Sequence, residues 1–378
     1  MSIKSHEKFG EVIEIMHRKD LDRVSDAMWA RRKHLKALGS MASLAAVPAI
    51  GLTGASARAQ ALEKTKVSIA VGGKASFYYL PLSIAEFKGF YKAEGLDVEI
   101  SDFAGGSRAL AAVVGGSADV VSGAYEHTIN LQQKGQMFQA FVLQGRAPQM
   151  AIGVSSKTMA GYKSVADLKG KKIGVSAPGS STNMMASFML ANAGLKASDV
   201  SFVGVGTGAG AVTALRSGQI DAISNVEPVM TMLQQSGDIR IVADMRTMKG
   251  TQDFLGGPMP AACLYAPLTF VQKYPNTAQA LASAIIRANR WIESVGPSEL
   301  IRTVPESYLL GDRGIYLATF HAIRDSISRD GLIPDEGSKT ALKLLEASTP
   351  KWDKTKVDLA KTYTNEFAKK ALAKLGKA

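Results

Sequence analysis

Ser180, Ser181 and Thr182 follow Pro178 and Gly179, an order that sets three hydroxyls at the start of a helix. The first N–H groups of a helix have no intrahelical partner and sit at the positive end of its dipole. Such a start suits a carboxylate, sulfonate, phosphonate or nitrate. An ordinary N-cap turn has the same composition, and no Walker-type lysine follows the glycine. Phe77, Tyr78 and Tyr79 cluster before Pro81, either as a wedge in the core or as a wall for an organic ligand, and Tyr125 adds a further ring. Lys74, Arg108 and Arg146 are the cations available to an anion, with Arg146 equally suited to a hinge contact. Glu227, before Pro228, could accept from an amine or a ring N–H, or serve as a cap. Glu126 and His127 are neighbours, but no Ser or Cys nucleophile motif accompanies them. Catalysis therefore stands below binding, and His127 reads as a structural residue.

The elements that must position these residues are legible in order. Residues 173–175 read as a buried strand feeding the helix that ends at Gly194. Upstream, 66–71 reads as a strand and 72–79 as a loop. Pro81 then opens a helix with Leu80, Ile84 and Phe87 on one face, ending near Gly89. Leu96, Val98 and Ile100 alternate as a strand, Gly105-Gly106-Ser107 leads into a helix over 108–114, and an apolar strand runs into Gly123. This β-α-β-α-β order predicts an α/β fold with a mostly parallel sheet flanked by helices. The pattern recurs at a constant offset of 102, so that Gly116 matches Gly218 and Asp119 matches Asp221. Two such lobes, 62–150 with 259–378 and 151–258, would face each other across a cleft at the carboxyl ends of their strands. Beyond Pro267 the expected elements are helices over 277–294, 314–330, 338–347 and 354–375. The last is lysine-rich and reads as a solvated face rather than a membrane-binding one.

Composition narrows the function. Of the net charge of +12, residues 1–61 account for ten basic and six acidic side chains, which leaves +8 dispersed over the rest. No basic run or aromatic-basic stripe occurs, so a nucleic-acid partner is not expected. Cys263 is the single cysteine and there are five histidines, which excludes an internal disulfide and argues against a metal or cofactor. Arg31-Arg32-Lys33-His34-Leu35-Lys36, the apolar run from Met41 to Leu52 and the small residues around Ala59 and Ala61 read as a cleaved export signal of residues 1–61. Twin-arginine and general secretion both fit, and Met28 is an alternative start. No cysteine lies at the cleavage region, so the expectation is a periplasmic chain that is soluble and not lipid-anchored.

Several segments together carry a resemblance. Ala85-Glu86-Phe87-Lys88-Gly89-Phe90-Tyr91, Glu94-Gly95-Leu96-Asp97-Val98, Gly105-Gly106-Ser107, the run from Ser164 to Val175 and Gly179-Ser180-Ser181-Thr182 resemble the nitrate/sulfonate/taurine (SsuA-like) substrate-binding proteins of ABC importers. The resemblance spans about Val67 to Ala266. It implies a two-lobed type II periplasmic binding protein, a monomer that closes on a small organic anion and delivers it to an inner-membrane permease. It also implies a cleft built from Ser76, Phe77, Tyr78, Tyr79, Gly106, Ser107, Tyr125, Glu126, Ser180, Ser181, Thr182, Asn183, Asn225 and Glu227. Relatives often carry His where this chain has Asn183. Related pyrimidine-synthesis enzymes use a cysteine-rich motif, which a chain with Cys263 alone lacks. The expected ligand is a sulfonate, a taurine-like compound or an aromatic carboxylate. The alternatives are a ligand-presenting sensor subunit, a pyrimidine or thiamine-precursor binding protein and, below these, a periplasmic enzyme.

Overall fold

Val67, Ile69, Ala70 and Val71 are buried, and a strand covered on both faces reads as a near-continuous apolar run. This strand, β1 (Lys66–Gly72), anchors the first of two sheets in a computed structural model that describes residues 61–349 and 351–376. The segment read as an export signal lies outside the described residues up to residue 60. The other strands of the first sheet are β2 (Asp97–Phe103), β3 (Val120–Ala124), β4 (Phe138–Leu143) and, much later in the chain, β10 (Ala262–Pro267), in the order β2-β1-β3-β10-β4. The second sheet holds β5 (Met150–Ser155), β6 (Lys172–Val175), β7 (Ser201–Gly204), β8 (Ala222–Val226) and β9 (Ile239–Met245), in the order β7-β6-β8-β5-β9.

Both sheets are mixed. In each, four strands point one way, and the strand that arrives from the other sheet, β10 or β5, runs against them. The chain crosses between the sheets at 144–149 and returns at 256–261. The two crossings lie side by side, joined by Gln144 N–H to Ala262 O at 2.7 Å and Ala261 N–H to Gly145 O at 2.9 Å.

The 102-residue repeat has a structural meaning. Asp119 Oδ2 accepts from Ser68 N–H at 2.9 Å and Asp221 Oδ2 accepts from Lys172 N–H at 3.0 Å, so each aspartate ties the approach to one strand, β3 or β8, to its parallel neighbour, β1 or β6. Gly116 and Gly218 both take the left-handed conformation, with φ of 78° and 80°, which lets the chain turn sharply after each crossover helix.

Two expected helices are shorter than their patterns. The stretch 314–330 forms a helix only over Arg313–Ile323, followed by one 3-10 turn, because the backbone beyond it flanks the crossing: Arg146 N–H bonds Ser326 O at 2.6 Å and Ser328 N–H bonds Gln144 O at 2.8 Å. The stretch 354–375 is helical over Glu366–Leu375, after two short turns. Between them Thr362 O and Thr364 N–H pair with Ala140 on the edge strand β4, and a covered edge outweighs helix propensity here. No helix among the described residues is long and apolar enough to cross a membrane.

Candidate functional site

Gly72, Ala124, Ser176 and Val226 sit at or just past the carboxyl ends of β1, β3, β6 and β8, and together they line a cavity between the two sheets. Open α/β sheets place ligands at this edge. Tyr78, Tyr79, Gly106 and His127 complete the wall from the first half of the chain. Met150, Ser180, Ser181, Thr182 and Thr207 complete it from the second. The void inside is about 20 Å³, within about 310 Å³ of space between atoms, so it has room for about one water.

The two halves touch beside this void. Ser180 Oγ accepts from Ser107 N–H at 2.9 Å, Ser107 Oγ donates to Pro178 O at 2.9 Å, and Phe77 N–H reaches Glu227 O at 3.1 Å. A Cβ on Gly105 would lie 2.7 Å from Ala177 Cβ, so only a glycine allows this approach.

Of the residues expected to form the cleft, Tyr78, Tyr79, Gly106, Ser180, Ser181 and Thr182 line the void. The Thr182 hydroxyl is committed to Ser176, whose N–H it accepts at 3.0 Å, whereas no hydrogen bond to the Ser181 hydroxyl occurs among the described residues. Ser107 and Glu227 lie where the halves meet. Glu227 is fully buried and held by Thr231 N–H at 2.9 Å and by Arg246 at 3.2 Å. Burial raises its pKa, against the pull of the Arg246 guanidinium.

Other expected residues turn away from the void. Phe77 stacks on Tyr316 with ring centres 4.3 Å apart, and Tyr125 places its hydroxyl 2.6 Å from Thr362 Oγ1. Ser76 donates to Gly73 O, Asn183 accepts from Gly179 N–H and Asn225 donates to Gly206 O.

Glu126, expected in the cleft, does not line the void, although its neighbour His127 does. Glu126 is fully buried, and neither carboxylate oxygen has a hydrogen-bond partner of normal geometry. Burial pushes its pKa up to about 7, and the nearby Ser181 hydroxyl tempers the rise. His127 bonds Tyr265 OH through Nδ1 at 3.0 Å, while among the described residues its buried Nε2 has no partner of normal hydrogen-bond geometry. Burial pushes the imidazole down to about 4, so it is neutral at pH 7.

Among the described residues no Lys or Arg lines the void. Lys74 pairs with Glu86 at 2.6 Å, Arg108 is exposed, and Arg146 donates to Asp325 O at 2.5 Å in the crossing. No cluster of three or more metal-ligating side chains occurs among the described residues.

Sequence reasoning read His127 as structural and did not single out Ser176, Thr207, Met150 or Gly72. The 102-residue repeat contained a usable signal: it superposes the wall residue Ala124 on the wall residue Val226.

Residues 76–293 match the model of a family described as NMT1/THI5 like. A solved protein from Bordetella bronchiseptica RB50 is 63% identical, with a TM-score of 0.83, covering 84% of this chain and 100% of that one. The alkanesulfonate-binding protein SsuA of Xanthomonas axonopodis pv. citri, solved bound to MOPS, is 18% identical with a TM-score of 0.62 over 81% of this chain and 100% of that one. The periplasmic nitrate-binding protein NrtA of Synechocystis PCC 6803 is 17% identical, with a TM-score of 0.61 over 84% of this chain and 91% of its own. At these lower identities the likeness establishes the fold, that of the periplasmic binding proteins.

Proposed function

Because the chain belongs to the NMT1/THI5-like family, we propose that it is the extracytoplasmic solute-binding component of an ABC importer. In this reading 62–150 with 259–378 forms one lobe and 151–258 the other, and the segments 144–149 and 256–261 are the hinge. The observation that carries it is a cavity walled by both halves at the strand ends, beside hydrogen bonds that join those halves. A solute that bridges Ser181 and the Tyr78–Tyr79 wall shifts the population of lobes toward the closed form, which a membrane permease then receives. The product is a bound and delivered solute, with no bond made or broken.

The proposed ligand is a small organic molecule with an anionic or strongly polar head at the Ser181 helix start, as in sulfonates, taurine-like compounds and aromatic carboxylates. Helix N–H groups and hydroxyls would hold that head, since Lys74 and Arg146 are engaged elsewhere and Arg108 is exposed outside the wall of the void. An amine-bearing solute, including an aminopyrimidine, is favoured over a plain anion by one observation, the unpartnered Glu126 beside that start.

A thermal-shift screen of the chain against sulfonates, taurine, nitrate, aromatic carboxylates, pyrimidines and phosphonates tests the receptor reading. Ligand at about 100 times its dissociation constant adds about 2.7 kcal/mol to stability and raises the melting temperature. Ser181→Ala is expected to weaken the hit by about 1.5–3 kcal/mol where its hydroxyl meets a charged group, roughly 10- to 150-fold in calorimetry. No hit from any class, in folded protein, would remove the receptor reading for these solutes.

A further inference from the structure

The crossings run from β4 to β5 and back into β10, on the side of the two sheets opposite to their edge strands β2 and β7. Those edge strands therefore flank the side of the cleft away from the crossings. There the halves enclose a second space, a chamber of about 400 Å³ whose walls include Phe103 and Ala104 at the end of β2, Thr207 and Gly208 beyond β7, and Tyr308 and Leu310. Thr207 also lines the void, which places the chamber next to it.

Tyr308 and Leu310 come from one short stretch, the 3-10 turn Glu306–Leu309 and the residues that lead from it into the helix Arg313–Ile323. Tyr308 is fixed to the first half of the chain: its hydroxyl lies 3.1 Å from Ser83 Oγ, and its ring meets Phe87 edge-on with centres 5.7 Å apart. Leu309 is buried in the core that contains the first sheet. Leu310, the next residue, leaves that core and packs on a separate apolar cluster whose members all come from the second half, Val229, Met230 and Leu233 of one helix among them. Its backbone is left-handed, with φ of 48° and ψ of 29°, and Gly311 after it is left-handed as well. That conformation is less favourable for a residue with a Cβ than for glycine, so the leucine is held there against a local penalty that its side-chain contact offsets. Arg313 and Glu306 pair at 2.8 Å across the base of the stretch.

Resting on the two-lobe receptor reading above, we propose that residues 306–312 are a latch across the open side of the cleft, with Tyr308 as its anchor on one lobe and Leu310 as its catch on the other. Opening the lobes lifts Leu310 off the second-half cluster and exposes it to water, so the latch adds to the free energy of opening and slows the exit of a solute. Release also frees the Leu310 backbone from its left-handed state, which keeps the catch reversible.

Hydrogen exchange on the full chain, without added solute, reads the latch directly. Phe77 N–H donates to Glu227 O and Ser107 N–H donates to Ser180 Oγ across the halves, so exchange of these two amides reports opening. Leu310→Asn accepts the left-handed backbone and removes the apolar contact. It is expected to speed exchange at both amides about tenfold or more, while amides inside each sheet, such as those of Ile69 and Gly174, keep their wild-type rates. Leu310→Met, which keeps an apolar chain of similar volume, should stay close to wild type. Equal acceleration throughout both halves, or a Met variant that exchanges like the Asn variant, overturns the latch and makes Leu310 an ordinary packing residue. Wild-type exchange at Phe77 and Ser107 that is faster than at Ile69 and Gly174, and that Leu310→Asn leaves unchanged, overturns the latch alone. Wild-type exchange no faster at Phe77 and Ser107 than inside the sheets shows no opening, and overturns the two-lobe reading together with the latch.

Discussion

Glu126 and His127 are consecutive residues whose ionisation burial perturbs in opposite directions on the proton scale, and both end up disfavoured as ions. For Glu126 the folded pKa of about 7 lies above the ordinary value of 4.5, so the folded state binds more protons between them. The stability tied to it is fully present below pH 4.5 and is lost as pH rises through 7. For His127 the folded pKa of about 4 lies below the ordinary 6.5, so its contribution is present above pH 6.5 and is lost as pH falls through 4. The two slopes oppose each other between pH 4.5 and 6.5. In urea unfolding across that window, Glu126→Gln is therefore expected to gain stability relative to wild type as pH rises to 7, by an amount on the order of a few kcal/mol. A difference between the two proteins that is flat with pH would mean that Glu126 titrates near its ordinary value in the folded chain.

At the scale of elements, the pattern of short apolar strands, glycine turns and crossover helices is local chemistry, which is why the β-α-β-α-β succession and its repeat could be read from spacing while the order of strands within each sheet could not. Asp119 and Asp221 show the same device at unequal strength. Asp119 accepts from both Ser68 N–H and Ser68 Oγ and faces Lys64 at 3.2 Å, whereas Asp221 Oδ2 accepts from the Lys172 backbone alone. Replacing Asp119 with Ala strands a half-buried backbone N–H, at a cost of about 1–3 kcal/mol, whereas the Lys172 N–H freed by Asp221→Ala is exposed to water. Chemical denaturation should show Asp119→Ala as the more destabilising of the two, and the reverse order would assign the difference to something other than these bonds. The helices over 314–330 and 354–375 were misread for a physical reason as well. Their lysines, alanines and leucines favour helix locally, but the backbone of 326–328 and 362–364 is taken by the crossing and by the β4 edge.

Across the whole molecule, closure depends on how near two backbones can come. Gly105 lies against Ala177 from the other half, and a methyl group there would overlap Ala177 Cβ and approach Ala177 N at 3.0 Å. Gly105→Ala is thus expected to hold the halves apart. Small-angle scattering should give a larger radius of gyration than wild type, with weaker solute binding and a far-ultraviolet circular dichroism spectrum unchanged. An unchanged radius with intact binding would show that closure tolerates the extra carbon. The Ser107–Ser180 and Phe77–Glu227 hydrogen bonds also join the halves, and Ser180 both lines the void and holds its walls together.

By itself the sequence determined the α/β class, the two-fold repeat and the helix start at Ser181, because strand alternation, capping and glycine turns act over a few residues. Tertiary structure alone decided which polar and aromatic groups face the void. Phe77 turns into the core because Tyr316 and Phe320 are there to receive it, and Tyr125 turns away because Thr362, 237 positions along the chain, accepts its hydroxyl. Glu126 and His127 gain their character the same way: their pKa values are set by burial among distant residues, and no local spacing encodes how much water a side chain will lose.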